Sequence, residues 1–355
     1  MRYITAFLFV LLVAGVLFAQ PVRNEMNVPD IPGYITLKGD FHIHTVFSDG
    51  DVWPVTRVQE AWMEGLDVIS ITDHLEYTPH KDYIPVNHEA PYSIARKTAD
   101  ELGILLIKGT EVTKSMPPGH YNALFVREAT PIHNENYREA LNEAKSQGAF
   151  VLWNHPGWRA QTPDGPVWMK EHEELFSQGL FQGIEVGNYD EWYPEVLDWA
   201  ISRNLTIFCN SDIHEPMHLY FHRNKMKRRP VTLVFAETAT ETAVREALNS
   251  GRTAGWFNEY VFARKEILQS LLKESVRATE IARDQKNVRY RLHNSTDFEF
   301  NMTFSNLPSE KIHLPERSSV QVSLPLNQDE VTVSVLNFLH GSEAPLTFPL
   351  GLLQK

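Results

Sequence analysis

The stretch Leu66-Asp67-Val68-Ile69-Ser70-Ile71-Thr72-Asp73-His74 limits what this chain can become. A short, β-branched, apolar run that ends in polar residues is the pattern of a strand buried on both faces, with its functional end at the carboxyl side. The pattern recurs. Residues 104–113 carry Glu111 near their end, residues 149–153 run into Asn154-His155-Pro156, and residues 206–210 run into Ser211-Asp212-Ile213-His214. Further strands are expected over 119–126, 183–186 and 231–235. Helical stretches fall between them: one opened by Pro54, then 92–102 ended by Gly103, 136–147 closed by Gly148, 170–178, 193–203 and 240–249. Strands alternating this regularly with helices, and ending in polar residues, predict a closed or nearly closed β/α barrel.

The first strand is expected over residues 34–45 and contains Asp40-Phe41-His42-Ile43-His44-Thr45. Residues two apart on a strand point to one face, so His42 and His44 are expected to aim at a common point. Val46-Phe47-Ser48-Asp49-Gly50 then reads as a loop that returns Asp49 to the pair. Across the barrel the same end of the strands gathers His42, His44, Asp49, His74, Glu111, His120, His155, Asp212 and His214. Six of the 15 histidines share this one position in the pattern. The other nine, His80, His88, His133, His172, His218, His222, His293, His313 and His340, read as surface or locally hydrogen-bonded residues. The single cysteine, Cys209, builds neither a disulfide framework nor a cysteine zinc site, so any metal falls to His, Asp and Glu. Six imidazoles with three carboxylates suit Zn, Mn or Fe better than Mg or Ca, which prefer all-oxygen shells.

Asp-x-His-x-His-Thr…Ser-Asp-Gly, Thr-Asp-His, Gly-Thr-Glu, Gly-His, Asn-His-Pro and Ser-Asp-x-His, in this order over residues 36–257, resemble the PHP (polymerase and histidinol phosphatase) superfamily of metal-dependent phosphoesterases. The resemblance implies a distorted (β/α)7-type barrel carrying two to three divalent transition metals (Mn, Zn or Fe). It implies that His42, His44, Glu111 and Asp212 hold a first metal. Glu111 would bridge to a second metal held by His120 and His155, and Asp49, His74 and His214 would hold a third. A hydroxide bridging the first two metals would then attack phosphorus in line. Glu111, Asp212, His155 and Arg159 form the expected catalytic set, with Arg159 as the phosphate-contacting cation and Lys114 and Arg223 as further candidates. Asp73 and Asp40 are candidates for orienting ligands from behind or for capping strand ends. Tyr77, Trp158 and Tyr189 either line a substrate pocket or pack. The run Lys225-Met226-Lys227-Arg228-Arg229 reads as a solvated loop rather than a phosphate patch.

The N-terminus reads as a signal peptide over residues 1–19. Arg2 precedes an apolar run too short for a comfortable membrane span, and Ala19 suits cleavage. A periplasmic or secreted protein follows, with no stable membrane span after signal cleavage. The PHP barrel is expected over 33–257, a linking helix over 258–286 and a small all-β, sandwich-like C-terminal module over 287–355. Export and that module resemble exported PHP phosphodiesterases. A net charge of −12 argues against bulk nucleic-acid binding, while a small-molecule phosphate ester suits a metal cluster. Phosphodiesters are favoured. The alternatives are a phosphomonoesterase acting on a nucleotide or sugar phosphate, and an amidohydrolase-like metal hydrolase acting on a carbon centre. The oligomeric state is open.

Overall fold

The computed structural model describes residues 22–224, 226–326 and 330–354. The expected signal segment, residues 1–19, lies outside them. Among the described residues no helix is long and apolar enough to cross a membrane.

The elements run β1 (Ile35–Asp40), α1 (Pro54–Met63), β2 (Val68–Ile71), α2 (Ala90–Leu102), β3 (Leu105–Val112), β4 (Tyr121–Leu124), α3 (Tyr137–Ser146) and β5 (Phe150–Trp153). They continue through α4 (Lys170–Ser177), β6 (Gly183–Asn188), β7 (Glu191–Trp192), α5 (Pro194–Ser202), β8 (Thr206–Asn210), α6 (Met217–Asn224), β9 (Val231–Ala236) and α7 (Glu241–Asn249). Then come β10 (Thr253–Phe257), β11 (Tyr260–Ala263), α8 (Lys265–Ser275), β12 (Val276–Arg283), β13 (Asn287–Asn294), β14 (Phe300–Phe304), β15 (Leu307–Leu314), β16 (Ser319–Pro325), β17 (Thr332–Leu339) and β18 (Pro345–Pro349).

The barrel sheet has the order β9-β1-β2-β3-β4-β5-β6, and β8 adds to β6. Helices cover the outer face, and β2, β4, β5, β6, β8 and β9 are buried throughout, as their continuous apolar runs require. The sheet is not wholly parallel: β4 runs antiparallel to both β3 and β5, and β9 runs antiparallel to β1. No backbone ladder joins β8 to β9 among the described strands. Threonine hydroxyls tie β8 to β9 and to its neighbour β10 instead. Thr232 Oγ1 accepts from Cys209 N at 2.9 Å, and Thr253 Oγ1 donates to Ile207 O at 2.7 Å. At the site end the ring is drawn together by backbone: His44 N donates to Ile213 O at 3.1 Å and Asp212 N to His42 O at 2.9 Å.

Two expectations need correction. The first strand stops at Asp40, so His42 and His44 lie beyond it. The β9 ladder ends at Gly39 opposite Thr232, which leaves residues 42–44 to bond to 212–213 and to Thr72. The linking helix spans only Lys265–Ser275, and Val276–Arg283 is a strand. The helical spacing that runs on through Val276 is replaced there by alternation, with Val276 and Ala278 turned inward and Arg277 and Thr279 toward solvent or partial exposure.

The C-terminal region packs two sheets, β12-β13-β16 against β14, β15, β17 and β18, around one apolar core that also takes in Trp256 and Val261. Burial in β13 alternates strictly, as one wet face and one dry face demand. The ladder also continues past residue 257: β10 pairs with β11, and β11 pairs in parallel with β17.

Candidate metal centre

All nine expected ligands converge at one end of the barrel. His42 and His44, both fully buried, bring Nε2 to 3.2 and 3.0 Å from Asp212 Oδ1. The same nitrogens lie 3.6 Å from the two oxygens of Glu111. Glu111 sits in the middle, with Oε1 3.0 Å from His120 Nδ1 and 3.9 Å from His155 Nε2, and Oε2 2.5 Å from His74 Nδ1. Asp49 Oδ1 lies 3.4 Å from His74 Nε2 and 3.2 Å from His214 Nε2. The ligand atoms of His44, Asp49, His74 and His214 fall within 4.8 Å of one another, as do those of His42, His44 and Asp212, and of His74, Glu111 and His120.

Local backbone accounts for part of this convergence. His155 and Asp212 hold φ of 27° and 49°, in the left-handed region that non-glycine residues rarely adopt. Each bends its chain sharply off a strand end and turns the side chain inward, at a cost of about 1–3 kcal/mol that the surrounding packing must offset. Arg57 on α1 clamps the two loops that carry His44 and His214. Its buried guanidinium donates to the carbonyls of His44 (2.8 Å), Ile213 (3.2 Å), His214 (2.5 Å) and Glu215 (2.9 Å).

The electrostatics suit cations. Burial pushes the His44 imidazole down to about 3, helped by His214 and His74 beside it. Burial and His120 bring His155 to about 3 as well. Both rings are therefore neutral at pH 7, with a lone pair to give. Burial would raise the carboxyl of Glu111, but His74, His120 and His42 hold it well below the usual range. Buried His42 Nε2, His44 Nε2 and Asp49 Oδ1 approach other ligand atoms yet make no hydrogen bond. Buried polar atoms are normally satisfied, so a set left open toward a common centre fits metal ions.

A second layer fixes the rings. Buried Glu185 on β6 accepts from four donors: His42 Nδ1 (2.9 Å), Asn210 Nδ2 (2.9 Å), His155 N (2.8 Å) and Asn188 Nδ2 (2.8 Å). His42 is thereby committed to presenting Nε2 inward. His44 Nδ1 lies 3.2 Å from Ser48 Oγ, which donates to Asp73 at 2.6 Å. Asp73 thus serves His44 rather than its neighbour His74, whose Nδ1 meets Thr113 Oγ1 at 2.6 Å. His214 Nδ1 donates to Asp212 O at 2.7 Å, and Asn154 Nδ2 donates to Glu111 Oε1 at 2.8 Å. Glu185, Asn154 and Arg57 are outside the expected site set. Asn154 leaves a trace in the Asn-His-Pro motif, and Glu185 leaves one as a carboxylate inside the apolar strand Gly183–Asn188. Glu185→Gln turns an NH2 toward groups that already donate. The expected result is a 10- to 100-fold loss of metal affinity, read by chelator competition; unchanged affinity would remove Glu185 from the centre.

Other expected residues fall elsewhere. Arg159 is turned outward, 84% exposed, with Nε 3.1 Å from Glu191. The positive charge expected to meet substrate is engaged at the rim. Lys114 pairs with Glu76 at 2.8 Å and Arg223 with Glu215 at 3.1 Å. The basic run is not a solvated loop at its end. Arg228 lies over Trp256 at 3.8 Å and pairs with Glu316 at 2.9 Å, and buried Arg229 binds Asp40 and Glu64. His172 is locally hydrogen-bonded, its Nδ1 accepting from Met169 N at 2.9 Å, and it is fully buried, stacked on Trp153 at 3.9 Å. Trp158 and Tyr189 line a cavity of about 340 Å³ over the cluster, together with Asn188, Asp190 and Glu191. Tyr77 is not in that lining and meets His74 edge-on at 6.0 Å.

No protein-family model matches the chain. An uncharacterized protein of Methanocaldococcus jannaschii is 30% identical over 194 residues, which span 52% of this chain and 84% of that protein. A putative metal-dependent phosphoesterase of Bifidobacterium adolescentis covers 60% of this chain and 96% of its own at 18% identity, with a TM-score of 0.41, too remote to carry an argument. A crystal structure from Bacteroides vulgatus, described as a two-domain protein containing a predicted PHP-like metal-dependent phosphoesterase, is far nearer. It superposes with a TM-score of 0.88 at 39% identity, covering 92% of this chain and 98% of that one. With 39% identity over nearly the whole length of both chains, the chain belongs to the PHP-like metal-dependent phosphoesterases.

Proposed function

We propose that this protein is an exported phosphodiesterase that uses two to three divalent transition metals. The observation that carries the reading is the convergence of six histidines and three carboxylates beneath a cavity of about 340 Å³ that has no lysine or arginine in its lining. Mn, Zn or Fe ions bound there would supply a hydroxide nucleophile near neutral pH and neutralise phosphoryl charge. The chain's own part is to hold these ligands fixed. Glu185 sets the tautomer of His42, the Ser48–Asp73 pair sets that of His44, and Asn154 holds Glu111 in place.

The diester preference rests on charge and room. A dianionic monoester normally draws on side-chain cations as well as metals, and the nearest candidate, Arg159, is tied to Glu191. A monoanionic diester needs less, and its second ester arm has the cavity to occupy. Export rests on Arg2 and the apolar run that follows it.

The test is elemental analysis of the purified protein beside rates on p-nitrophenyl phosphate and bis(p-nitrophenyl) phosphate after loading with Mn, Zn or Fe. Two to three metals per chain and a faster diester reaction are expected. A faster monoester reaction would make the protein a phosphomonoesterase. Turnover of lactones or amides with no phosphate ester cleaved would place the chemistry on a carbon centre.

A further inference from the structure

Two aromatic residues besides the histidines, Trp158 and Tyr189, line the cavity over the metal centre, and Trp158 is the more exposed. Trp158 is 40% exposed, yet its place is set by backbone. Its N–H donates to His155 O at 2.9 Å, and its carbonyl accepts from the N–H groups of Gln161 (2.9 Å) and Thr162 (2.8 Å). The indole lies 5.2 Å from the His155 ring and 5.7 Å from the His120 ring, centroid to centroid. It therefore stands beside two of the three imidazoles that approach Glu111 Oε1, with part of its surface open. A large apolar surface left in water beside a site, on a pinned backbone, is available for a ligand to cover.

Asp190 lines the same cavity and is exposed. Among the described residues no ion pair reaches it, whereas neighbouring Glu191 is paired with Arg159 at 3.1 Å. The mouth thus offers an aromatic face and an unpaired carboxylate. Like charge so placed discriminates against a second anionic group on the ligand.

We propose that Trp158 and Asp190 select the ester arm of the substrate: an aromatic ring joined to the phosphoryl group through one or two atoms stacks on Trp158, and Asp190 rejects an arm that carries its own negative charge. The short link follows from the 5.2 Å between the indole and His155, which leaves room for only a few bonds between a phosphoryl group over the ligands and a ring on the tryptophan. The inference rests on the phosphoesterase reading above and narrows its substrate class to aryl and benzyl esters without further anionic groups.

Phosphonates test it without chemistry, because their C–P bond is not hydrolysed. Dissociation constants of methylphosphonate, benzylphosphonate and 4-carboxybenzylphosphonate are measured by calorimetry on the Mn-loaded full chain. Benzylphosphonate is expected to bind about tenfold tighter than methylphosphonate, the size of one stacking contact. Trp158→Ala should bring that ratio to near one, and Trp158→Phe should keep most of it. The carboxylate on the third compound should erase the gain, and Asp190→Asn should restore part of it. A ratio near one in the wild type, or one that Trp158→Ala leaves intact because both compounds weaken together, would overturn the inference and leave the phosphoesterase reading standing. If none of the three binds, methylphosphonate included, the inference is overturned, and the phosphoryl reading falls with it only where bis(p-nitrophenyl) phosphate is not cleaved either.

Discussion

Exchanging Glu111 for glutamine is expected to strip the centre of metal and cost at least about 100-fold in phosphate-ester hydrolysis, the upper end of what removing even an outer partner of a metal ligand costs. Glutamine has the same shape, so the barrel should keep its packing. What changes is the one buried negative charge that faces five imidazoles. Its oxygens lie 2.5–3.9 Å from the ring nitrogens of His74, His120, His42, His44 and His155. An amide replaces one of those oxygens with a donor and brings no negative charge to the cations these residues would hold. Elemental analysis and a melting curve on the same sample separate the outcomes. Metal content should fall while the fold persists. A variant with wild-type metal content and rate would show that Glu111 is a structural residue among the histidines.

Replacing Arg229 with methionine is expected to destabilise the fold by about 3–5 kcal/mol, the cost of leaving a buried partner charge behind. Arg229 is 3% exposed and pairs with the fully buried Asp40 and with Glu64. Asp40 also accepts from His42 N at 3.2 Å and Ser211 N at 3.1 Å, so the loss reaches the backbone beside two ligands. The pH dependence carries the sign of the effect. Burial pushes Glu64 up to about 7, with Arg229 opposing that rise. A carboxyl whose folded value is raised above its unfolded one favours the fold while protonated, and that benefit is lost as pH climbs from near 4.5 through the folded value. Without Arg229 the rise is larger. The deficit in the denaturant midpoint should therefore be smallest near pH 5 and largest above pH 7. A midpoint within about 1 kcal/mol of wild type at pH 8 would mean that the pair is replaceable by packing alone.

The placement of Arg229 illustrates why the basic run misled. A cluster of like charges in sequence ordinarily lies in water. Here its last two members are folded under the β module, where Trp256 and Glu316 receive one and Asp40 and Glu64 the other. Nothing local in Lys227-Arg228-Arg229 announces partners 28 to 189 residues away, because those partners come from four separate parts of the chain. Strand β15 carries little signal in the sequence for a related reason. As an edge strand it exposes most of its residues, so it lacks the alternation by which β13 is recognised. The helix α8 was read too long because Val276 continues its apolar spacing, although the chain there changes to a strand.

The sequence by itself determined where the chemistry lies. Buried strands write themselves as unbroken apolar runs, and the polar residues that interrupt those runs at their ends have few places to go except the barrel mouth. His42, His44, His74, Glu111, His155, Asp212 and His214 were legible for that reason, and Asp49 and His120 from the loops and short strand beside them. Only the tertiary structure decided which nitrogen His42 and His44 turn inward, because that depends on Glu185 meeting the far side of the His42 ring from 143 residues away and on Asp73 holding Ser48 behind the His44 ring from 25 residues away. It likewise decided that Arg159 faces outward onto Glu191 while Arg57, unmarked in its helix, ties His44 to the His214 loop. Periodicity reports which face of an element is dry, whereas the partner of a buried polar atom is set by how the elements are brought together in space.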